Sequence, residues 1–307
     1  MMTVRDDQLK YDYICGLVEQ TYPILAPVWQ AARTRFGAAW LREFIENIEA
    51  VYGTVDVGIE GRLGDALDGY AEFVNDSLRN QSFYEKHGRY KASSYAECVD
   101  AYYHNADHMI RCYLPGMYLS HLLWPQHYNM LCGFRENMLR RLEQPKLFFE
   151  VGVGCGMYSK VLLDYFPEIR GVGFDISPHS LKFTESLVGI FNHASRYKIE
   201  QRDIRHGYSE QCDFLVCQEV LEHLENPEEF CGWLFAMIKP GGRAYITAAL
   251  NAAHSDHIFH FRDPMQLEEM LRAAGFQPMS LQEEFAAGIK PRKITPSLAG
   301  YLVERRT

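Results

Sequence analysis

The stretch from Lys146 to Gly156, K-L-F-F-E-V-G-V-G-C-G, constrains most strongly what this chain can fold into. Its apolar run from Leu147 to Val151, interrupted only by Glu150, is typical of a strand buried on both faces of a parallel sheet. Glycines follow, and Met157 to Phe166 then has a helical pattern. Strand, glycine turn and helix predict a nucleotide site, because glycines let a ligand approach the backbone and helix N-termini offer free N–H groups. A tight turn without a ligand is the alternative.

The two sides of this stretch have different patterns. Up to about residue 144 the apolar residues keep helical spacing, whereas strand-like and helix-like segments alternate from Lys146 onward. Alternation of this kind predicts a parallel sheet covered by helices. The last two strand candidates follow one another without a helix, so we expect them to pair antiparallel. The strand candidates are Leu147–Val151, Gly171–Asp175, Lys198–Gln201, Phe214–Cys217, Arg243–Ala248, Gln277–Glu284 and Leu298–Glu304. We expect an α/β fold, with an all-α domain over residues 1–144 and a ligand-binding domain over residues 145–307.

Composition excludes several classes of protein. The formal net charge of −9 disfavours a nucleic-acid or anionic membrane surface, since phosphate binding needs clustered lysine and arginine. The chain has no apolar run of about 18 residues, and its polar amino terminus does not resemble a signal peptide. Its eight cysteines include no C-x-x-C pair. We therefore expect a cytoplasmic protein with reduced cysteines and neither a nucleic-acid nor a membrane partner.

The spacing of the glycines limits the kind of nucleotide. An NAD-binding turn has glycine at its first, third and sixth positions. Here Gly152, Gly154 and Gly156 stand at the first, third and fifth positions, and Met157 at the sixth. The sequence thus favours a ligand without a pyrophosphate. Asp175 ends the second strand, where a carboxylate can accept both ribose hydroxyls, and Asp203 follows the next strand, where it can accept an adenine amino group.

Five segments in order carry a family resemblance. They are E-V-G-V-G-C-G (150–156), G-F-D-I-S (173–177), Q-R-D-I (201–204), F-L-V-C-Q-E-V-L-E-H-L (214–224) and K-P-G-G-R-A-Y-I-T (239–247). From Lys146 to the carboxyl terminus the chain resembles the class I S-adenosylmethionine-dependent methyltransferases. The resemblance implies a Rossmann-like seven-stranded sheet with an antiparallel last strand, S-adenosyl-L-methionine as cofactor and S-adenosyl-L-homocysteine as product.

The resemblance also implies roles for individual residues. It places Asp175 with Ile176 at the ribose, Asp203 with Ile204 at the adenine, and Gln218 beside the sulfonium. The methionine part of the cofactor would be surrounded by Glu150, Gly152, Gly154 and Gly156.

Catalytic candidates come from two places, and a base is needed only if the acceptor atom must lose a proton. Glu222 and His223 follow the fourth strand, at the edge where doubly wound folds bind ligands. Small-molecule O-methyltransferases have a histidine base near this position, but the local sequence is E-H-L rather than H-D-W, so a structural histidine is the alternative. His254 follows the fifth strand in N-A-A-H-S-D-H-I-F-H-F, a segment similar to the loop that overhangs the acceptor in many such enzymes.

Two groups of histidines raise the question of a metal site. His254, His257 and His260 have three-residue spacing, which suits metal ligands only in a helix. We expect no metal there and assign His257 to the acceptor instead. His104 and His108 lie opposite an apolar stripe between Val99 and Tyr113, which predicts a solvated face.

An aromatic cluster precedes the glycine stretch. Tyr113, Trp124, His127 and Tyr128 are predicted to line the acceptor pocket as part of a lid, and a helical core is the alternative. The helical half has more apolar faces than one contact can bury, so a homodimer is also expected.

Together these features predict a methyltransferase that acts on a small molecule, amino-acid-like or aromatic, in specialised metabolism. A protein or RNA acceptor is the alternative among enzymes, which the acidic charge disfavours. A non-catalytic cofactor-binding module is the alternative from another class.

Overall fold

A computed structural model of the chain describes residues 4–23, 25–53, 55, 61–287 and 294–306. As the apolar spacing predicts, the elements described up to Arg141 are helical. The α-helices are α1 (Val4–Thr21), α2 (Ala26–Tyr52), α3 (Arg62–His87), α4 (Tyr95–Cys98), α5 (Ala106–His108), α6 (Leu114–Leu123) and α7 (Pro125–Gly133). Between and after them are π-helical turns at Val99–Tyr103, Met109–Tyr113 and Phe134–Met138 and a 3₁₀ turn at Leu139–Arg141. Among the described helices, none combines the length and apolar character needed to cross a bilayer.

The helical stripe predicted between Val99 and Tyr113 is broken in the middle. Asn105 has an extended backbone, with φ −80° and ψ 102°, and its side chain accepts the N–H of His108. Asparagine offers the backbone this local alternative to a helical hydrogen bond, so a new helix begins there. His104 is exposed as predicted, but His108 is half-buried beside Tyr113.

From Leu147 onward the chain forms one seven-stranded sheet in the order β3-β2-β1-β4-β5-β7-β6. The strands are β1 (Leu147–Val151), β2 (Arg170–Asp175), β3 (Tyr197–Gln201), β4 (Cys212–Cys217), β5 (Ile238–Leu250), β6 (Phe276–Phe285) and β7 (Ser297–Arg305). Strands β1 to β5 are parallel, and β7 runs antiparallel to both β5 and β6. The predicted Rossmann-like sheet and its antiparallel end are confirmed.

Helices pack on both faces of the sheet. They are α8 (Met157–Tyr165), α9 (Pro178–Ile190), α10 (Pro227–Ala236) and α11 (Pro264–Ala273), with 3₁₀ turns at Ala194–Arg196, Ile204–His206 and Leu221–His223. Successive residues of one strand belong to different cores: Phe148 lies in the core shared with the helical half, and Phe149 in the core beneath α10 and α11. One face of the sheet is therefore covered by α8, α9 and helices of the amino-terminal half.

Candidate active site

The turn after β1 has backbone conformations that favour glycine. Gly152, Gly154 and Gly156 have φ angles of 73°, 51° and 75°, all in the left-handed region. A Cβ on Gly154 would lie 2.7 Å from Sδ of Met117 in α6, so the helical half packs directly against this turn. Gly152 and Gly154 line a cavity. Gly156 directly precedes α8 and donates its N–H to the carbonyl of Val153 at 2.7 Å.

This cavity has a volume of about 1010 Å³ and walls from both halves of the chain. The sheet half contributes the carboxyl ends of β1, β2, β4 and β5 and the turns that follow them. The helical half contributes aliphatic and polar side chains together with a group of aromatic and imidazole side chains. They include Tyr70, Phe73, Tyr95, Tyr103, Tyr113, His121, Trp124 and His127.

Asp175 lies at the end of β2 on the cavity wall, as predicted for a ribose-binding carboxylate. Its oxygens accept the N–H of Ser177 at 2.8 Å and that of Gly154 at 3.2 Å. Burial raises the pKa of Asp175 to about 6, although these backbone N–H groups oppose the shift. The carboxylate is thus held by the same turn that presents the glycines, and Ile176 beside it also lines the cavity.

Asp203 lies at the next strand end and is already in an ion pair. Its Oδ2 lies 2.6 Å from Nη2 of Arg205, whose guanidinium carbon lies 4.5 Å from the ring centre of Tyr95. Burial alone would raise the pKa of Asp203, but the hydrogen bonds from Arg205 bring it below its usual range. Asp203, Ile204 and Gln218 all line the cavity, where the cofactor resemblance places them.

Glu150, which the resemblance places near the methionine part of the cofactor, lies behind the cavity wall. It is buried in β1, and the hydroxyl of Ser159 donates to its Oε2. Burial raises the pKa of Glu150 to about 8 despite that hydrogen bond. It is not among the described residues of the cavity wall, so any effect of Glu150 on a ligand is indirect.

The loop after β5 carries a buried carboxylate, Asp256, with several donors. The hydroxyls of Tyr103 and Tyr113 donate to its Oδ2 at 2.9 and 3.2 Å. Nδ1 of His254 lies 2.8 Å from its Oδ1. Burial alone would raise the pKa of Asp256, but the neighbouring His223 and His254 hold it well below its usual range. The Asp256 carboxylate therefore connects the loop to the helical half through hydrogen bonds.

His254 is the side chain of this loop best placed for proton transfer. The hydrogen bond to Asp256 fixes the proton on Nδ1, which leaves Nε2 as an acceptor. That Nε2 is buried without a hydrogen-bond partner among the described residues and lies 3.8 Å from Oδ2 of Asp76. The residue lines the cavity. Burial lowers and the Asp256 carboxylate raises the pKa of His254, with a net increase.

His223 and His257 stand side by side on the same wall. Nδ1 of His223 lies 3.1 Å from the carbonyl oxygen of Asp256, and Nδ1 of His257 lies 2.7 Å from that of Ala252. Their ring centres are 4.9 Å apart. Burial lowers the pKa of His257 to about 3, so this imidazole is neutral.

Glu222 is fully buried, and it does not belong to the described cavity wall. Its Oε1 accepts the N–H of Ala249 at 3.0 Å, and its carbonyl accepts those of Ile258 and Phe259. Burial and the nearby Glu219 raise the pKa of Glu222 well above its usual range. Its contacts anchor the loop after β5.

The three histidines with regular spacing do not converge, because residues 251–260 form an irregular loop rather than a helix. His260 points elsewhere: its Nε2 lies 2.8 Å from the hydroxyl of Tyr84. His254 and His257 remain together at the cavity.

Among the predicted acceptor contacts, Tyr113, Trp124 and His127 line the cavity. The indole N–H of Trp124 donates to the hydroxyl of Tyr70 at 2.8 Å. His127 and the neighbouring His121 each have an Nδ1 that is buried without a described partner. Burial lowers the pKa of His121 to about 4 and that of His127 as well, so both rings are neutral polar groups facing the cavity.

Tyr128 lies elsewhere, in the helical core. Its ring packs 4.7 Å from that of Phe36, and its hydroxyl donates to Glu43 at 3.0 Å. Because it is not part of the described wall, we do not include Tyr128 among the acceptor contacts.

A family model described as a methyltransferase domain matches residues 124–281, just over half of the chain. The chain belongs to this methyltransferase family. The match begins at Trp124, one residue before α7, and ends within β6. It therefore includes the glycine turn, Asp175, Asp203 and the histidine loop of the methyltransferase.

Curated relatives share the sheet half. The methyltransferase is 25% identical over 163 residues to a ubiquinone biosynthesis O-methyltransferase of Bordetella avium. This match covers 45% of this chain and 65% of the relative. A protein of the same name from Coxiella burnetii is 29% identical over 109 residues, 33% of this chain and 43% of the relative. The chain thus spans less than two thirds of these relatives.

Solved structures extend the similarity to the helical half. A mitomycin 7-O-methyltransferase superposes with a TM-score of 0.56 at 13% identity, over 97% of this chain and 94% of that one. An O-methyltransferase family protein from Burkholderia thailandensis superposes with a TM-score of 0.55 at 14% identity, over 90% of this chain and 86% of that one. At these identities the likeness establishes the fold of the methyltransferase.

Several residues at or beside the cavity of the methyltransferase were not predicted. Asp256 is one of them, although the H-S-D spacing does signal a local pair with His254. His121 is another, and its position close to Trp124 and His127 is a signal that could have found it. The contributions of Tyr103 and Met117 have no local signal, because their partners are far away in the chain.

Proposed function

We propose that this protein uses S-adenosylmethionine to methylate a hydroxyl oxygen of a small molecule. The observation that carries the proposal is the shared cavity, in which the predicted cofactor residues of the sheet and the aromatic wall of the helical half face one space. At about 1010 Å³ it lies at the upper end of small-molecule sites, which is suitable for a cofactor together with an acceptor.

The residues of the sheet edge suit the cofactor. Asp175 can accept the ribose hydroxyls, and Asp203 retains acceptor capacity for the adenine amino group beside its ion pair with Arg205. Gly152 and Gly154 bring backbone close to the methionine part. When bound, S-adenosylmethionine supplies an electrophilic methyl group, and S-adenosylhomocysteine is the product.

The helical half suits an acceptor with a flat ring. Trp124, Tyr113 and Phe73 offer aromatic surfaces, and such faces bind rings and cations well. The neutral imidazoles of His121 and His127 provide hydrogen-bonding groups at the same end. A concave wall of this kind and a net charge of −9 favour a small molecule over a protein or RNA acceptor.

His254 is proposed as the general base. Asp256 orients its ring through Nδ1, and Nε2 takes the proton of the acceptor hydroxyl as the oxygen forms its bond to the methyl carbon. Removal of water and alignment of the two reactants supply the rest of the acceleration. Oxygen as the acceptor atom also agrees with the names of the curated relatives and of the two solved structures.

We assign residues 1–144 to an acceptor-binding lid and residues 145–307 to the cofactor domain. Hydrogen bonds cross between them: Gln81 accepts the N–H of Ala253, and Ser177 donates to the carbonyl of Tyr103, both at 2.8 Å. The homodimer and the cytoplasmic location stay predictions from the sequence.

The test is a panel of hydroxylated aromatic compounds, incubated with full-length protein and S-adenosylmethionine and scored by release of S-adenosylhomocysteine. Isothermal titration calorimetry should show cofactor binding, and NAD should give no thermal shift. Binding of NAD instead of S-adenosylmethionine would overturn the proposal. Transfer only to proteins or RNA would reject the small-molecule part.

A further inference from the structure

One wall of the cavity contains a carboxylate and two imidazoles whose functional atoms converge. Glu222, His223 and His257 each offer one ligand atom, and these three atoms lie within 4.8 Å of one another. They come from the turn after β4 and from the loop after β5, so the sequence separates His257 from the other two. The set differs from the regularly spaced His254, His257 and His260.

Each of the three side chains also has one atom in contact with the backbone. Nδ1 of His223 and Nδ1 of His257 each lie within hydrogen-bond distance of a carbonyl oxygen. Oε1 of Glu222 accepts the N–H of Ala249 at 3.0 Å. Each histidine therefore presents Nε2 as a lone pair, and backbone partners at Nδ1 are the usual way in which proteins orient metal-binding imidazoles.

Oε2 of Glu222 is the observation that points to a ligand. The side chain is fully buried, and this oxygen has no hydrogen-bond partner among the described residues. A buried polar atom without a partner costs free energy, so native proteins rarely keep one without a reason. A cation between this oxygen and the two imidazoles would satisfy it.

We propose that Glu222, His223 and His257 form a binding site for one divalent transition-metal ion. Two imidazoles and one carboxylate match the open three-ligand sites of Zn²⁺ and of non-haem Fe²⁺. Mg²⁺ fits poorly because it prefers oxygen ligands. Tetrahedral Zn²⁺ needs ligand atoms about 3.4 Å apart, so the three side chains rotate towards one another as the ion binds.

The open coordination positions face the cavity, because His223 and His257 are both part of its wall. There the ion can hold an acceptor oxygen and lower the pKa of its hydroxyl. This role rests on the proposed methyl transfer to oxygen, whereas metal binding itself does not. A bidentate acceptor, such as a ring with adjacent oxygen atoms, would use two such positions.

The experiment measures the metal without any methyl acceptor. Full-length protein is stripped with a chelator, and Zn²⁺ binding is measured by mass spectrometry after gel filtration and by thermal shift. We expect about one tightly bound ion per chain. Glu222→Gln, His223→Gln and His257→Gln should each weaken binding by at least about 100-fold, more than the loss of a residue that only hydrogen-bonds to a metal ligand. His260→Gln is the control and should bind as the wild type does.

Co²⁺ absorption identifies the ligands, since the chain has eight unpaired cysteines that could also bind metal. The site is supported if the Co²⁺ complex of the wild type has absorption bands without thiolate charge transfer and the His257→Gln variant lacks these bands. A wild-type protein that takes up no Zn²⁺ or Co²⁺ overturns it, as does equal uptake by the three folded variants. Failure of the methyl-transfer assay alone would reject the proposed function and leave the metal site standing.

Discussion

The Nδ1 atom of His254 lies 2.8 Å from Oδ1 of Asp256, and the opposite ring nitrogen is buried without a hydrogen-bond partner among the described residues, 3.8 Å from Oδ2 of Asp76. Asp256 in turn accepts the hydroxyls of Tyr103 and Tyr113. His254, the proposed base, is therefore linked through Asp256 to two tyrosines of the helical half.

The first prediction concerns this pair. His254→Ala should lower kcat by about 10²–10⁴, the usual contribution of a general base, and leave cofactor affinity unchanged in calorimetry. Asp256→Asn should lower kcat as well, because the amide no longer fixes the ring tautomer. His104→Ala, at an exposed position, is the control. A normal rate in folded His254→Ala would remove the base from the mechanism.

A second prediction concerns the ribose carboxylate. Asp175→Ala removes two charge-assisted hydrogen bonds, each worth roughly 1.5–3 kcal/mol, so S-adenosylmethionine affinity should fall by about two orders of magnitude or more. Asp175→Asn keeps one oxygen acceptor, so it retains one of the two N–H contacts from Gly154 and Ser177 and perturbs the turn less than Asp175→Ala does. Circular dichroism should show both variants folded. Unchanged affinity in both would refute the ribose assignment.

Cofactor binding should also depend on pH. The pKa of Asp175 is raised to about 6, and the ribose hydroxyls favour the ionised carboxylate. Affinity should therefore be full above this pKa and fall by about tenfold for each pH unit below it. Glu150, with a pKa of about 8, is protonated throughout this range. Titration calorimetry from pH 7 to 5 should show the decrease, and Asp175→Asn should abolish it.

The aromatic wall gives a fourth prediction. Trp124→Ala should raise the acceptor KM at least about tenfold while cofactor affinity stays normal, because the indole faces the cavity. Trp124→Phe keeps a ring but loses the hydrogen bond to Tyr70 and should have a smaller effect. Tyr128→Phe is the matched control, since that ring lies in the helical core. Equal damage from Tyr128→Phe would contradict the assignment of the wall.

The sheet could be predicted from the sequence because strand burial, glycine turns and capping residues are local signals. The apolar run of β1 and the Ser177-Pro178 start of α9 show this. Asp175, Asp203 and Gln218 lie at or just after the ends of strands, so their position at one edge of the sheet was also predictable.

The error over Tyr128 has a physical reason. Trp124 and Tyr128 are four residues apart and would share a face in a continuous helix. Trp124 instead has ψ 125° because it precedes Pro125, which disfavours the helical conformation of its neighbour. The two rings consequently point to different environments. The partners of Asp256 could not be predicted either, since Tyr103 and Tyr113 lie 153 and 143 residues away in the chain.

The contact between Met117 and Gly154 constrains how such a chain can evolve. A side chain at position 154 would have to displace the end of the Met117 side chain, which belongs to a helix of the other half, and would occupy a backbone with φ 51°. A cofactor domain taken from a relative can therefore be joined to these helices only if the residues at both positions remain compatible. Substitutions within the helical wall would leave this contact unchanged, so they can alter the acceptor without disturbing the glycine turn.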